Sequence, residues 1–405
     1  MSGLKVLICG AGVAGPVTGY WLSKAGAKVT IVERAPSLRT GGQNVDIRGH
    51  GLTILGRMGL EETARSNTTA EEGLKLIDNK GVTWAEFPAR DDKSFTAEVE
   101  IMRGMLGKLL FDATQKDIEY IFDTTISEIA EGFDGAAVTF DNGKSGNFDI
   151  VIAADGQYSS TRRVAFGDDS NTTVNALNQF MAWFKVPQVE GDDNWGRWYN
   201  APGRRLIFSR PDTKGKNEYL RVVISVCGHE EEFRSVMRDS IEEQKVLWRK
   251  RFLGAGWQEQ RMIRAMEDSD DFHMQETLQI KAKRWFQGRT VLVGDAAYAP
   301  SPISGMGTTL SITGAYILAG EIAKQPNDLQ AAFQSYQDTM QPFAEKGQSL
   351  FPGAPWIANP ESWWGIKILL SIASFLAWSG LIDLMQKFGS AGPPSSGIDL
   401  PEYSF

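Results

Sequence analysis

Six residues near the start of the chain, Gly10-Ala11-Gly12-Val13-Ala14-Gly15, constrain the fold more than any other feature. They follow an apolar run, Leu4 to Cys9, that reads as a buried strand, and they precede a helical pattern from about Val17 to Ala25. A second strand reads over residues 28–32 and ends at Glu33. Strand, glycine turn, helix and strand form a βαβ unit, and its parallel strands call for a sheet covered on both faces. In such a unit Gly10 permits the tight turn, Gly12 lets the backbone approach a pyrophosphate, and Gly15 lets helix and strand pack closely. The phosphates then sit at the helix N-terminus, beside Ala14. Pro16 is tolerated there, because an N–H in the first helical turn has no intrahelical partner. Glu33 lies eighteen residues after Gly15 (33 − 15) and is placed to accept a ribose hydroxyl. That favours an unphosphorylated ribose, hence FAD or NAD rather than NADP at this position.

Composition narrows the function. At about 150 residues per domain, a chain of 405 residues holds two or three domains. With 42 Lys+Arg against 50 Asp+Glu, a net charge of −8, and no long basic run, a nucleic-acid partner is not expected. Cys9 and Cys227 make neither a disulfide framework nor a C-x-x-C pair, which fits a reducing, cytoplasmic setting. His50, His229 and His273 lack metal-ligand spacing, so no metal is expected. The first residues run straight into the apolar strand, leaving no room for a signal peptide. Residues 363–388 are the most apolar stretch and approach the length of a membrane span. Lys367 and Asp383 bracket a short core that contains Ser371, Ser374, Ser379 and Gly380, so a docking helix packed on the other domains is expected. Membrane-surface association is the lesser alternative.

A second glycine-rich segment lies far along the chain. Residues 290–293 read as a short buried strand ending in Gly294-Asp295-Ala296-Ala297, and Pro300 to Thr309 lead into a helix over residues 310–322. Backbone amides around Gly305 to Thr309 would point at whatever lies in front and favour a group that becomes anionic. Asp295, at the edge of the strand, is placed to reach a polyol hydroxyl. Read alone, this is equally an ordinary strand, loop and helix.

Four stretches taken together, residues 10–15 with Glu33-Arg34, RTGGQNVDIRG at 39–49, IVIAADGQYSSTRR at 150–163 and VLVGDAAYAPSPISGMGTTL at 291–310, carry a resemblance. The chain resembles the class A, single-component FAD-dependent monooxygenases of the para-hydroxybenzoate hydroxylase fold, above all their tetracycline-modifying and fungal secondary-metabolite branches. That resemblance implies an α/β fold: a Rossmann-like FAD-binding domain with an inserted mixed or antiparallel sheet as substrate domain, and a C-terminal helix. The FAD-binding domain would comprise residues 1–70, 101–165 and 282–345, the substrate domain an excursion at 71–100 and the sheet at 166–281, and the docking helix and tail residues 346–405. Gly10, Gly12 and Gly15 would hold the FAD pyrophosphate, and Glu33 with Arg34 the adenosine ribose and its surroundings. Arg103 would contact the phosphates or ribityl chain. Asp155, with Gly156, Ser159 and Arg162, matches the motif associated with FAD and NAD(P)H. Gly294 and Asp295 would meet the ribityl, and Pro302, Gly305, Gly307 and Thr308 the isoalloxazine ring. Gln43, Asn44 and Asp46 would pass beside the flavin. The pattern is broken at Tyr298, where many relatives have His, and at Thr309, where relatives often have Asn.

The resemblance further implies that NADPH or NADH reduces FAD and that O2 adds at flavin C4a. The resulting hydroperoxide would hydroxylate or epoxidise an aromatic or polycyclic small molecule, in a monomer or weak dimer. The alternating stretches at 181–187, 197–211 and 218–226 read as a sheet with a hairpin at Ala201-Pro202-Gly203, and one face of it should roof the flavin. On it, Arg197 and Tyr199 are the candidate catalytic residues, polarising a phenolate, carbonyl or indole nitrogen. Trp183, Phe208 and Arg221 are the candidate substrate contacts. Gly254-Ala255-Gly256 lacks the third glycine and a preceding strand, so NAD(P)H would bind transiently in a groove. An oxidative cyclase or reductase of the same fold, or a flavin-binding redox sensor or membrane-docking module without turnover, are the rival readings.

Overall fold

The computed structural model describes residues 3–39, 41–69, 71–89, 99–167, 171–212, 218–379 and 398–405. The βαβ unit forms as its glycine spacing demands: strand Lys5–Cys9, helix Ala14–Lys24 and strand Lys28–Val32. Lys5–Cys9 sits inside a six-stranded sheet, between Ile150–Ala153 and Lys28–Val32. Its register is parallel on both sides, with Ile8 opposite Ile152 and Ile31. Thr290–Leu292 extends the sheet beyond Ile150–Ala153, again in parallel. Alternate side chains of the central strand serve two cores. Val6 and Ile8 join Trp21, Leu310, Ile317 and Phe333 from the helices. Leu7 and Cys9 join Val138 and Phe140 from a three-stranded sheet on the opposite face.

A seven-stranded sheet stands apart from this unit, in the order His273–Ala282, Thr172–Pro187, Tyr219–Cys227, Arg205–Pro211, Trp195–Ala201, Gly73–Ile77, Thr83–Pro88. The expected excursion at 71–100 therefore joins the later sheet, through a parallel pairing of Gly73–Ile77 with Trp195–Ala201. Residues 90–98 of it lie outside the described residues. The hairpin turns at Pro202-Gly203-Arg204, with Gly203 and Arg204 at φ of +79° and +60°. One face of the sheet buries Phe180, Phe184, Ile207 and Ile224 against Phe233, Trp248 and Met266 on the helices Glu230–Val236, Ile241–Phe252 and Glu259–Asp268.

The other face is partly covered by the helix Trp363–Ser379, whose Ile366, Leu370 and Ala373 pack on Leu74, Leu76, Ala85, Phe87 and Trp198. Residues 380–388 of the apolar stretch lie outside the described residues. The outer side of the helix leaves Trp364, Ile368, Ile372, Phe375 and Trp378 exposed. Among the described residues, no helix is long and apolar enough to cross a membrane. Residues 398–405 return to the first lobe. Tyr403 donates to Glu321 Oε1 at 2.7 Å, and the Phe405 and Trp21 rings lie 4.6 Å apart. Gly320 makes room for this strap, since a Cβ there would sit 2.1 Å from the Tyr403 ring.

Candidate cofactor and active site

The glycine turn is shaped by contacts on one side and open space on the other. A Cβ on Gly10 would lie 2.5 Å from the Ala154 carbonyl oxygen, and one on Gly15 only 2.0 Å from that of Gly10. Those two positions close strand, turn and helix together. Gly12 differs: a Cβ there would meet nothing within 4 Å. Packing does not demand glycine at position 12, whereas a pyrophosphate resting on the backbone does. Glu33 is held in front of the turn, accepting from Ala11 N at 2.9 Å and Ala35 N at 3.0 Å. Each oxygen keeps a further lone pair for a ribose hydroxyl. Arg34 is exposed beside it.

The distant segment converges on the same place. Gly294 lies against the glycine helix, its hypothetical Cβ 3.1 Å from that of Ala14. Asp295 follows at once, half-buried, with no hydrogen-bond partner among the described residues. Burial raises its pKa, and the nearby Arg103 guanidinium partly opposes that shift. An isolated, half-dry carboxylate is costly unless a donor completes it, and a ribityl hydroxyl is such a donor. Arg103 opens the helix Arg103–Thr114, its N–H donating to Gln43 O at 3.0 Å and its side chain exposed toward the cleft. Beyond Asp295, Ser301 is held at φ +83° and Gly305 at φ +63°, so the loop with Pro302 folds back before the helix Gly307–Lys324 begins. The first-turn amides of Gly307 and Thr308 have no intrahelical acceptor and face outward. Buried and unpartnered at the same cleft are Gln43 Oε1, Asn44 Oδ1 and Ser301 Oγ. Open backbone at Gly12, an uncompleted Asp295 and orphaned amide oxygens near the loop form a donor and acceptor set that fits FAD along its length.

Asp155 is held within its own motif. It accepts from Thr161 N at 3.0 Å and from the Ser159 hydroxyl, which in turn caps the helix Ser160–Phe166 through Arg162 N at 2.9 Å. Arg162 Nη1 reaches the Ala296 carbonyl at 2.6 Å, which ties this motif to the Asp295 segment. The two departures from the family pattern also find physical reasons. Tyr298 is buried, turned away from the cleft, with its hydroxyl 3.0 Å from that of Tyr336, which donates to Leu292 O. Thr309 Oγ1 accepts from Arg48 N at 3.0 Å, fastening the helix start to the strand Asn44–Ile47.

The sheet residues divide by face. Trp183, Phe208 and Arg221 point to the side away from the three helices, because Phe184, Ile207 and Val222 occupy the helix side. Gly42, Gln43, Trp183, Arg221, Asp271 and His273 line a common recess. His273 stacks on Trp183 with ring centroids 4.7 Å apart. Burial, with Arg103 and Arg39 nearby, pushes its pKa down to about 4, so the imidazole is neutral. Arg221 is paired with Asp212 and Asp271; burial works against its charge, but the two carboxylates outweigh it and raise its pKa. The expected catalytic pair needs correction. Arg197 and Tyr199 lie on the helix-covered side, since Tyr199 is paired with Ile207. Tyr199 is fully buried and donates to Ala255 O at 2.6 Å, and Arg197 pairs with Asp193 at 2.9 Å. The turn at residues 254–256 thus packs on Tyr199. Trp198 and Asn200 occupy the opposite face instead, joined by a 2.8 Å hydrogen bond, with Trp198 packed under the helix Trp363–Ser379 and Asn200 donating to Ala358 O. Both cysteines are free and buried, their thiols pushed up to about 12 by burial. Among the described residues no cluster of metal-ligating side chains is present.

A family profile described as FAD binding domain matches residues 3–348. The chain belongs to that FAD-binding family. Relatives across the whole length carry the same chemistry in their names. Monooxygenase CTB7 of Cercospora beticola is 36% identical, with 100% of this chain and 98% of the relative covered. Flavin-dependent monooxygenase eupH of a Phoma species is 33% identical over 100% of this chain and 98% of its own length. Among solved structures, the tetracycline destructase Tet(51) superposes with a TM-score of 0.80 at 29% identity, covering 99% of both chains. Klebsiella pneumoniae HpxO complexed with FAD and uric acid, at 17% identity and a TM-score of 0.75, covers 97% of this chain and 98% of its own and shares the fold. The protein is a FAD-dependent monooxygenase with the mixed α/β architecture of the class A flavoenzymes.

Proposed function

We propose that this enzyme uses NAD(P)H and O2 to insert one oxygen atom into an aromatic or polycyclic small molecule of the natural-product or antibiotic kind. The observation that carries the reading is the apposition of two surfaces. Gly42 and Gln43 share a recess with Trp183 and Arg221 of the sheet, and Asp46 on the same stretch lies 3.3 Å from where a Gly305 Cβ would be, so the flavin loop and the sheet meet across residues 42–46. Relatives named for fungal monooxygenases and for tetracycline destruction support the substrate class.

When bound, FAD supplies the redox and oxygen chemistry. The chain supplies position, charge and dryness. Gly10, Gly12 and Gly15 would seat the diphosphate, Glu33 the adenosine ribose, and Arg103 with Asp295 the ribityl chain. The Gly307 and Thr308 amides would hold developing negative charge at the pyrimidine edge of the ring, a term that needs no side chain and costs no reorganisation. Trp183, stacked on neutral His273, and Phe208 would present flat apolar walls to a planar substrate and exclude water. Arg221, already neutralised by Asp212 and Asp271, would orient a polar substituent without drawing an unpaired anion into the recess.

The test is NAD(P)H oxidation and oxygen uptake by FAD-loaded protein across a panel of phenolic polyketides and tetracycline, with mass spectrometry of the products. Uptake that rises with substrate, and a product heavier by one oxygen atom, are expected. Substrate turnover that persists without oxygen would favour the oxidative cyclase or reductase reading. Yellow protein inert toward both NAD(P)H and oxygen would favour a sensing module.

A further inference from the structure

Phe208 and Arg210 alternate along one strand, so both face the cleft, with the Arg210 guanidinium 5.1 Å from the Phe208 ring centre. Two carboxylates grip that guanidinium. Nε and Nη2 donate to Glu71 at 2.7 and 3.1 Å, and Nη1 pairs with Glu100 Oε1 at 2.5 Å. The side chains of Glu71, Glu100 and Arg210 are only 2%, 4% and 16% exposed. Glu100 belongs to a two-stranded ribbon, Val99–Met102 with Asn44–Ile47, on which it stands directly opposite Asp46. Asp46 is bonded to Arg48 at 2.9 Å and lies 3.3 Å from where a Gly305 Cβ would be. Thr69 Oγ1 donates to the second Glu100 oxygen at 3.1 Å. One buried network therefore fastens the ribbon beneath the flavin loop to the strand that walls the cleft.

Among the described residues its charges do not balance. Asp46, Glu71 and Glu100 against Arg48 and Arg210 leave one negative charge in excess if every group is ionised. Two carboxylates directly opposite on an antiparallel ribbon repel each other. Holding one proton removes the excess, leaving Asp46 with Arg48 and Glu71 with Arg210. Glu100 is the natural holder. Burial raises its pKa, Glu71 and Asp46 add to the rise and Arg210 opposes it, leaving it at about 8.

We propose that Arg210 is a positioning residue that pins the ribbon to the substrate sheet through Glu71 and Glu100. Glu100 carries the network's exchangeable proton, so that the junction is tight while Glu100 is neutral and loosens as it ionises. The inference deepens the oxygenase reading, on which it rests for what the cleft holds. Loosening moves the Phe208 wall relative to the loop at Gly305, so it acts on substrate affinity before it acts on the chemical step. The sign follows from linkage. If opening returns Glu100 to an ordinary glutamate pKa, the opening constant rises about tenfold per pH unit from the ordinary range up to about 8, then levels off.

The test is hydrogen–deuterium exchange of the FAD-loaded enzyme from pH 5.5 to 9, corrected for intrinsic exchange, on the amides of residues 44–47, 99–102 and 206–210. In the wild type, protection should fall about tenfold per pH unit until near pH 8 and then stay level. Glu100→Gln, which keeps shape and removes the charge, should hold high protection across the range. Arg210→Met should show low protection at every pH, and Arg210→Lys should recover part of it. Wild-type protection that does not change with pH overturns the proposal without any variant, as does a Glu100→Gln profile that follows the wild type. With any substrate that turns over, KM should rise with pH in the wild type and stay flat in Glu100→Gln while kcat holds. Exchange is read without substrate, so failure of the oxygenase reading would leave its result standing.

Discussion

Gly12→Val separates cofactor binding from folding at a single position. A Cβ at Gly12 meets nothing within 4 Å, and its φ lies outside the left-handed region, so the substitution costs the fold little. Reduced chain freedom in the unfolded state even favours the variant, and its stability should stay within about 1 kcal/mol of the wild type. In the complex the added methyls occupy the ground on which the diphosphate would rest. Losing two charge-assisted amide hydrogen bonds, each worth about 1.5–3 kcal/mol, weakens FAD binding by roughly two to four orders of magnitude. Gly15→Ala supplies the contrast, because its Cβ would lie 2.0 Å from the Gly10 carbonyl oxygen and the backbone must shift. That variant should lose about 1–3 kcal/mol of stability as well as the cofactor. Flavin fluorescence titration gives the affinity, and urea unfolding of the cofactor-free proteins gives the stability. A folded Gly12→Val protein that takes up FAD with wild-type Kd would refute the placement of the diphosphate on this turn.

Tyr199→Phe should leave kcat unchanged and cost about 1 kcal/mol in urea unfolding, because it removes only the hydrogen bond to Ala255 O on the helix-covered face. Tyr336→Phe removes a hydroxyl that donates to Leu292 O and accepts from Tyr298. A loss of roughly 1–3 kcal/mol with an unaltered bound-flavin spectrum is expected by calorimetry and absorbance. Glu100, raised from 4.5 to about 8 in the folded protein, binds a proton there that the unfolded chain has released, so its contribution to stability falls as pH rises from about 4.5 to about 8. Glu100→Gln should abolish that part of the decline in melting temperature, being relatively most stabilising near pH 8. Leu370→Ala removes a buried anchor of the helix Trp363–Ser379, at a cost of about 2–5 kcal/mol. Tryptic cleavage at the exposed Lys367 should then accelerate while FAD affinity holds.

The flavin half was legible because its chemistry is written in short range. Glycine spacing, a strand before and an acid after mark residues 4–33, and Gly294-Asp295 sits at a strand end that periodicity alone reveals. The sheet was also legible as alternation with a proline-glycine turn. Which residues share a face was not taken from it correctly. A reading that puts Arg197 and Tyr199 on the face of Phe208 fails because the hairpin sets Trp198 opposite Phe208, and directly paired residues point the same way. Counting back from the turn puts Trp198 and Asn200, not Arg197 and Tyr199, on the face of Phe208. The Glu71–Arg210–Glu100 network had no comparable signal. Its members lie 29 to 139 residues apart, and only the folded chain brings a ribbon, a loop and a sheet strand together. Tyr298 read as a defect in the motif because a motif records identity and not direction. Its side chain turns into the helices, where Gly314 leaves space for the hydroxyl.

The docked segment 398–405 bears on how variants of the protein are read. Tyr403 fills the room left by Gly320, Phe405 lies among Trp21 and Tyr316, and Arg57 donates to the Pro401 carbonyl. Removing any of these rings would loosen residues 398–405 from the lobe that grips the nucleotide, so a substitution in this short stretch reports on that lobe rather than on the substrate sheet.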